Sequence, residues 1–285
     1  MKRLAVLASR VRFEEKQIFA ALERRSVPYA HLDTRQLAAG LDGPGEPGGE
    51  LDFAAALSRE ISQSRAYYAC LMLEARGIPV VSPAEVIAAC GDKARTSLLL
   101  EAAGVPTPRS VLALTPEAAL DAAQGLGFPV VAKPLTGSWG RLVTVLRDRQ
   151  EAAAVLEHRA ALAAPQQHIV YLQERVDKPG RDIRVLIAGD AVIGATYRYG
   201  EGWRTGVACN GQSRPCPMSA ELSELAAGAA RAVGGGFLGV DVVEGPNGLQ
   251  VLEVNHTPEF RGFADAHGES IDVAGAIVSY VLAAA

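Results

Sequence analysis

The sequence has no long hydrophobic run and no strong excess of charge of either sign. No apolar stretch reaches the roughly 18 residues that cross a membrane, and the nearest, residues 271–285, contains Asp272 and is typical of a closing helix. The 28 lysines and arginines face 32 aspartates and glutamates, a net charge of −4 that does not favour nucleic acid as a partner. The apolar stretch after Met1 is too short for a secretory signal, so we expect a cytoplasmic protein with no membrane partner.

Cysteine is scarce. The four thiols, Cys70, Cys90, Cys209 and Cys216, include no C-x-x-C pair. The spacing of the last two does not fit the common zinc sites, so ordinary, mostly buried thiols are favoured over a metal or redox site.

The hydrophobic fraction of 49% and the length of 285 residues predict a globular chain with room for more than one core. In the first third, strand patterns at residues 3–8, 27–33, 52–57 and 78–82 alternate with helix patterns at 13–25 and 65–76, which predicts a parallel, doubly wound α/β sheet. No G-x-G-x-x-G follows the first strand, so we expect no dinucleotide site there.

Two α+β blocks are predicted beyond Pro106. The first has helices at residues 116–124 and 149–161 and strands at 128–133, 141–146 and 168–174; the second has hairpins at 183–199 and 239–254 around a helix at 219–233. The predicted domains are therefore residues 1–90, 91–172 and 173–285.

A lysine followed by a glycine-rich loop is the strongest local motif. Lys133 ends a predicted buried strand, and the loop that follows contains Gly137-Ser138-Trp139-Gly140-Arg141. Glycines let backbone N–H groups converge on an anion, and the lysine adds a point charge for phosphate oxygens. The alternative is a hairpin loop with a solvated lysine.

A second motif is acidic. Asp241 and Glu253 lie on the two arms of the last hairpin, and Asn255 shares a face with Glu253 because it is two residues further along the same strand. Two carboxylates and an amide suit Mg²⁺. The alternative is a pair of solvent-facing acids, but both lie in apolar runs, where unpaired carboxylates are costly to bury.

A third motif is a strand end at Gln173 and Glu174, followed by a Pro-Gly turn. It fits a hinge that presents backbone groups, with Arg184 and Arg198 on the next hairpin available for phosphate or carboxylate. A salt-bridged surface turn explains this motif equally well.

Taken in order, these motifs resemble those of the ATP-grasp superfamily and, more narrowly, of the LysX family of RimK-like ligases. The resemblance lies in residues 62–65 (SQSR), 86–93 (VIAACGDK), 137–142 (GSWGRL), 178–184 (KPGRDIR) and 253–260 (EVNHTPEF). It implies a three-domain ATP-grasp fold of α/β and α+β units with an N-terminal doubly wound pre-ATP-grasp domain. It also implies ATP and two Mg²⁺ ions, and assembly as a dimer or tetramer.

The resemblance also assigns a role to each matching residue. The implied catalytic residues are Arg184, Arg198 and Lys133. The implied metal ligands are Asp241, Glu253 and Asn255. ATP would be held by Lys93, Lys133, Ser138, Trp139, Gly140, Arg141, Gln173, Glu174, Val176 and Asp182. The amino-acid substrate would be held by Arg65, Arg198, Asn255, His256 and Thr257, with Asn210, at a position that departs from the family pattern, compensating for an arginine that relatives carry.

The implied reaction joins α-aminoadipate to the C-terminal glutamate side chain of a small acidic carrier, LysW, through an acyl phosphate, in lysine biosynthesis. Glutamate or another amino acid on such a carrier, as in arginine or secondary metabolism, and a RimK-type glutamyl ligase are alternatives. One stretch departs from the family pattern, at Gly206, Cys209 and Asn210, where relatives carry asparagine, arginine and glycine. The departure leaves open the identity of the amino acid and also an inactive, regulatory nucleotide-binding protein.

Overall fold

The computed structural model describes residues 2–40, 51–137, 140–200 and 212–285. Three β-sheets form within these ranges, with four, four and five strands. Each sheet is built from one continuous part of the sequence, in the order of the three predicted blocks. The domain limits themselves stay a prediction.

The N-terminal sheet consists of strands Arg3–Leu7 (β1), Tyr29–Leu32 (β2), Phe53–Ser58 (β3) and Val80–Val81 (β4), with helices Phe13–Arg24 (α1), Gln63–Glu74 (α2) and Ala84–Gly91 (α3). All its strands are parallel, in the order β2-β1-β3-β4, which confirms the predicted doubly wound sheet. Alternate residues of β1 enter opposite cores: Leu4 and Val6 pack with α1, and Ala5 and Leu7 pack with α2 and α3.

The central unit begins with helix Lys93–Ala102 (α4). It continues with Ser110–Ala113 (β5), Pro116–Leu126 (α5), Val130–Lys133 (β6), Thr144–Leu146 (β7), Arg149–Ala160 (α6), a 3₁₀ turn at Pro165–His168 and Val170–Glu174 (β8). The sheet is antiparallel, in the order β5-β8-β6-β7. The strand predicted from residue 141 starts later, at Thr144, so Arg141 precedes it.

The C-terminal unit contains strands Arg181–Ala188 (β9), Ala191–Tyr199 (β10), Ser213–Cys216 (β11), Phe237–Gly245 (β12) and Gly248–Asn255 (β13). Its helices are Ala220–Val233 (α7), Arg261–His267 (α8) and Val273–Ala283 (α9), with a 3₁₀ turn at Gly268–Ser270. The sheet is antiparallel, in the order β11-β10-β9-β12-β13, and contains both predicted hairpins.

The cores show how these units are joined. One apolar cluster includes Leu4 of the N-terminal sheet, Phe237 of the C-terminal sheet and Ile277 of α9, so these two units share a core. The central sheet packs against α5 and α6 in a separate cluster, made within residues 113–172. The central sheet with α5 and α6 therefore has a core of its own, whereas α4 packs through Leu100 into the core of the C-terminal sheet.

Two sequence expectations concern the chain as a whole. No helix in the described part of the chain is long and apolar enough to cross a membrane. Cys70, Cys90 and Cys216 are free thiols, whereas Cys209 lies outside the described residues.

Candidate active site

A cleft of about 1610 Å³ is lined by residues from all three units. Nine basic and seven acidic side chains of the described residues line it, although the whole chain is net acidic. The predicted cations Lys93, Lys133, Arg141, Arg184 and Arg198 all lie on its walls. A local excess of positive charge attracts anions whatever the sign of the whole molecule.

Lys133 is buried in the central sheet against a neutral partner. Its Nζ donates a hydrogen bond to Gln173 Oε1 at 2.6 Å, and no carboxylate of the described residues lies within ion-pair distance of it. Burial lowers the pKa of Lys133 to about 8, because Glu253 only partly offsets the loss of hydration and Lys93 adds repulsion. This ammonium group therefore has no anionic partner in the part of the chain that the structure describes.

Gln173 belongs to a hydrogen-bonded network behind Lys133. Its Nε2 donates to Tyr171 Oη at 3.0 Å and to Ser110 Oγ at 3.1 Å. Tyr171 Oη in turn lies 2.7 Å from Ser97 Oγ, on α4. The network uses both ends of the Gln173 amide and ties three strands and a helix to the position of Lys133.

Lys93 stands at the start of α4. The Asp92 carboxylate caps this helix by accepting hydrogen bonds from the N–H groups of Ala94 at 2.9 Å and Arg95 at 3.1 Å. The Lys93 ammonium donates to the carbonyl of Gly137 at 3.0 Å. Lys93 is thus hydrogen-bonded directly to the start of the glycine-rich loop.

Two aspartates and two arginines form a chain of ion pairs on the C-terminal sheet. Arg198 Nε donates to Asp182 at 2.6 Å and its Nη2 lies 3.0 Å from Asp241 Oδ2, while Arg184 holds both oxygens of Asp241, at 2.8 Å through Nη2. Burial favours neutral Asp241, but the charges of Arg184 and Arg198 outweigh it and hold its pKa well below the usual range. Burial likewise opposes the charge of Arg198, and the two aspartates raise its pKa.

The predicted metal ligands lie together. Asn255 Nδ2 is 3.2 Å from Glu253 Oε1 and 3.5 Å from Asp241 Oδ2. Within the described residues no three His, Cys, Asp or Glu side chains form a metal-binding group, so the predicted metal site would need the amide oxygen of Asn255 as a third ligand. Asp241 also holds two arginines, which leaves Glu253 and Asn255 as the predicted ligands without such a commitment.

The segment after β13 passes close over β12. A Cβ on Gly239 would lie 2.8 Å from Pro258 Cβ and 3.1 Å from Arg184 Cδ, so glycine permits this approach. Arg59, fully buried, donates to the carbonyl of Pro258 at 3.1 Å. His256 shares a hydrogen bond of 2.8 Å with Thr257, and burial, helped by the charge of Arg59, lowers the pKa of His256 to about 4. The side chains of His256 and Thr257 line the cleft.

Two predicted residues point elsewhere. Arg65 is not among the described side chains that line the cleft and lies 3.5 Å from Glu60. Glu60 is buried and also accepts hydrogen bonds from Ser9 and Ser62. Glu174 turns its carboxylate toward Arg109, at 2.9 Å, so that any contact with adenine would involve its backbone.

The remaining predicted ATP residues divide in a similar way. Gln173, Val176, Gly140 and Asp182 line the cleft, although the Asp182 carboxylate already faces Arg198 and, at 4.0 Å, Lys178. Ser138, Trp139 and Asn210 lie outside the described residues, as do the departures at Gly206 and Cys209.

Several residues that line the cleft are not among the site residues predicted from the sequence. Arg12, Phe13, Gln63 and Arg261 line the cleft. Arg12, Phe13 and Gln63 belong to the N-terminal unit, for which the sequence predicts no phosphate or metal motif. Gln63 and Arg261 lie within or beside segments that resemble the LysX family, and that proximity is the one signal that could have indicated them.

A cleft among a parallel N-terminal sheet and two α+β units, lined by lysines and by a D…E-x-N hairpin, is typical of the ATP-dependent carboxylate–amine ligases, which form C–N bonds. Comparison with known proteins agrees. Residues 90–281 match the RimK-like ATP-grasp domain, and residues 4–89 match the LysX preATP-grasp domain. The chain belongs to the RimK-like ATP-grasp family, which confirms the resemblance seen in the sequence and the expected fold.

Individual relatives cover most of the chain. It is 37% identical to a glutamate–LysW ligase, ArgX, of Sulfurisphaera tokodaii, with 98% of each chain covered. It is 34% identical to an α-aminoadipate–LysW ligase, LysX, of Sulfolobus acidocaldarius, over 88% of this chain and 91% of the relative. The crystal structure of a RimK domain ATP-grasp protein from Sphaerobacter thermophilus superposes with a TM-score of 0.81 at 28% identity, covering 98% of this chain and 99% of that one.

Proposed function

We propose that this protein joins an acidic α-amino acid to the C-terminal glutamate of a LysW-type carrier protein, at the expense of ATP. The observation that supports it most directly is the match, over nearly the whole chain, to ligases named for LysW. ATP-grasp enzymes use ATP and Mg²⁺, and the cleft suits both, since it pairs a buried lysine that lacks an anion with a carboxylate–amide ligand set.

In this proposal Lys93 and Lys133 neutralise the phosphates, and Gly140 and Arg141 belong to the loop that covers them. The backbone around Gln173, Glu174 and Val176 holds adenine. Asp241, Glu253 and Asn255 hold two Mg²⁺ ions, which would screen phosphate charge. ATP supplies the phosphoryl group that activates the carrier's carboxylate as an acyl phosphate.

Arg184 and Arg198 stabilise the charge that develops as the substrate amino group attacks the acyl carbon and phosphate leaves. Both guanidinium groups are held in place by aspartates before substrate arrives. Preorganised donors of this kind lower a barrier without a cost of reorganisation during the reaction.

Glutamate and α-aminoadipate are the two candidate amino acids. Glutamate is favoured by the 37% identity to ArgX over 98% of the chain, and α-aminoadipate, the substrate expected from the sequence, by the 34% identity to LysX. The pathway served is accordingly arginine or lysine biosynthesis. Assembly as a dimer or tetramer stays a prediction.

The test incubates the protein with ATP, Mg²⁺, a LysW-type carrier and one amino acid at a time, and follows ADP and the intact mass of the carrier. We expect the carrier to gain one amino-acid residue for each ADP formed, with glutamate or with α-aminoadipate. A carrier that lacks its C-terminal glutamate is the matched control and should gain nothing.

Other outcomes contradict the proposal in distinct ways. Mass gain on the truncated carrier, or ADP release with a small-molecule acceptor alone, would indicate a ligase with another acceptor. Nucleotide binding without ADP release for any amino acid would support the regulatory alternative.

A further inference from the structure

Arg261, the first residue of α8, lines the cleft without a carboxylate partner. Its guanidinium lies 5.3 Å from the centroid of the Phe13 ring. No carboxylate of the described residues lies within ion-pair distance of it, although Asp265, one turn further along α8, also lines the cleft. A cation beside an aromatic face is held in place but keeps its hydrogen-bond donors available.

Glu14 holds the backbone at Arg261 in place. The carboxylate of Glu14, itself 4% exposed, accepts hydrogen bonds from the N–H groups of Phe260 at 3.2 Å and Arg261 at 3.1 Å. Phe260 is buried and meets Phe13 edge to face, with ring centroids 6.2 Å apart. The start of α8 is therefore a rigid support for a side chain that reaches into the cleft.

Three other arginines that line the cleft already hold carboxylates. Arg184 and Arg198 hold Asp241. Arg12 lies 3.1 Å from Glu15 and 2.9 Å from Glu259. Arg175 is a cleft arginine without an ion pair among the described residues, but it follows β8 directly, beside the residues predicted to hold adenine.

We propose that Arg261 binds the side-chain carboxylate of the amino-acid substrate and so selects an acidic amino acid. The inference rests on the proposed function, because that function requires a substrate with a second carboxylate. A guanidinium recognises a carboxylate through two parallel hydrogen bonds. Arg65, which the sequence suggested for this role, lies outside the cleft lining, against Glu60.

The test replaces Arg261 by glutamine and measures ligation with the preferred acidic amino acid and with its side-chain amide, such as glutamine for glutamate. Loss of a charged hydrogen-bond pair predicts a KM for the acidic substrate about 10- to 100-fold higher. The KM values for ATP and carrier should change less than about 2-fold. The preference for acid over amide should fall by the same 10- to 100-fold, an effect that general loosening of the cleft would not produce.

Two further variants act as controls. Arg175→Gln removes the same charge from the other end of the cleft and should leave the acid-over-amide preference unchanged. Arg261→Lys keeps the positive charge but loses the two parallel N–H donors of the guanidinium group. It should therefore retain the preference for acid over amide while raising the KM for the acidic amino acid several-fold. Calorimetric titration of the amino acid into the full-length protein with a non-hydrolysable ATP analogue should show the same order of affinities.

The outcomes separate the two proposals. If the wild-type protein ligates no amino acid to the carrier, the proposed function fails. If it does, but Arg261→Gln retains its KM and its acid-over-amide preference, the role of Arg261 is refuted and the proposed function stands. Should Arg261→Gln fail to fold, Arg261→Lys decides: an unchanged KM and affinity would overturn the assignment.

Discussion

In the C-terminal sheet the buried Asp182 and Asp241 alternate with the partly buried Arg198 and Arg184 in a chain of opposite charges, whereas in the central sheet Lys133 is buried against a neutral amide. Strand register explains the first arrangement, because Asp241 lies opposite Arg184 and Asp182 opposite Arg198 on adjacent strands. In the second, Lys133 lies opposite Tyr171, and its partner Gln173 is offset by two residues along β8.

The two arrangements have opposite effects on protonation. The chain of ion pairs keeps its members charged, with the pKa of Asp241 lowered and that of Arg198 raised, while the pKa of Lys133 falls to about 8. The charges on the C-terminal sheet are therefore balanced within the protein, whereas Lys133 is buried without such a balance among the described residues. The contrast is consistent with the proposed phosphate binding at Lys133 and with the proposed role of Arg184 and Arg198.

Asp241→Asn should produce the largest change, because it removes the buried negative charge that lies between two partly buried arginines. Breaking a buried ion pair costs about 3–5 kcal/mol of unfolding free energy. Urea denaturation measures this loss of unfolding free energy. Asp190→Asn is the matched control, because Asp190 forms an exposed ion pair with Arg231 at 3.7 Å. Its loss of unfolding free energy should be less than about 1 kcal/mol. Equal losses in the two variants would contradict the buried ion chain.

Lys133→Met should abolish the pH dependence that the uncompensated lysine causes. The folded state holds Lys133 with a pKa of about 8, below the ordinary 10.5. The unfolded chain therefore binds more protons between these values, and the wild type gains stability relative to the variant as pH rises through this window, by up to roughly 3 kcal/mol. Urea denaturation between pH 7 and 10.5 measures this gain.

The exposed Lys16→Met variant controls for the loss of a lysine as such. A stability difference between the wild type and Lys133→Met that stays constant from pH 8 to 10.5 would show that Lys133 is not an uncompensated buried charge.

Tyr171→Phe should have the smallest effect of the three. It removes the hydroxyl that contacts Ser97, Ser110 and Gln173 while leaving the ring in the core. The expected loss is about 1–2 kcal/mol in thermal or urea unfolding. Tyr68 is 62% exposed, so Tyr68→Phe should change the free energy of unfolding by less than about 0.5 kcal/mol. Equal losses of unfolding free energy in Tyr171→Phe and Tyr68→Phe would show that the hydrogen-bonded network behind Lys133 does not stabilise the fold.

The elements with clear periodicity were predictable. The parallel N-terminal strands and both C-terminal hairpins follow from apolar alternation and turn residues, and α5 and α7 from helical spacing. The elements α3, α4, β5, β11 and α8 are not among those predicted. Most are short, and α4 exposes Leu98 on a helix whose apolar residues do not gather on one face. Their position depends on neighbours rather than on local pattern.

The candidate site was predictable where a motif lies on one element or one hairpin. Lys133 at a strand end, and Glu253 with Asn255 on one strand, were found because geometry over two or three residues is local. Arg65 and Glu174 were placed in the site by resemblance, but the structure pairs their side chains with Glu60 and Arg109. Short-range spacing does not reveal which charged neighbour a side chain meets.

The sequence by itself therefore determined the order of the units, the polarity of each strand face and the local pairing of ligands such as Glu253 and Asn255. The tertiary structure decided the environment of each charge. Arg261 lies against Phe13, and Arg12 meets Glu259, across most of the length of the chain. These contacts exist because the N-terminal sheet, Phe260 and α9 bury their apolar surfaces in one core, and burial of that kind joins residues without regard to their distance in sequence.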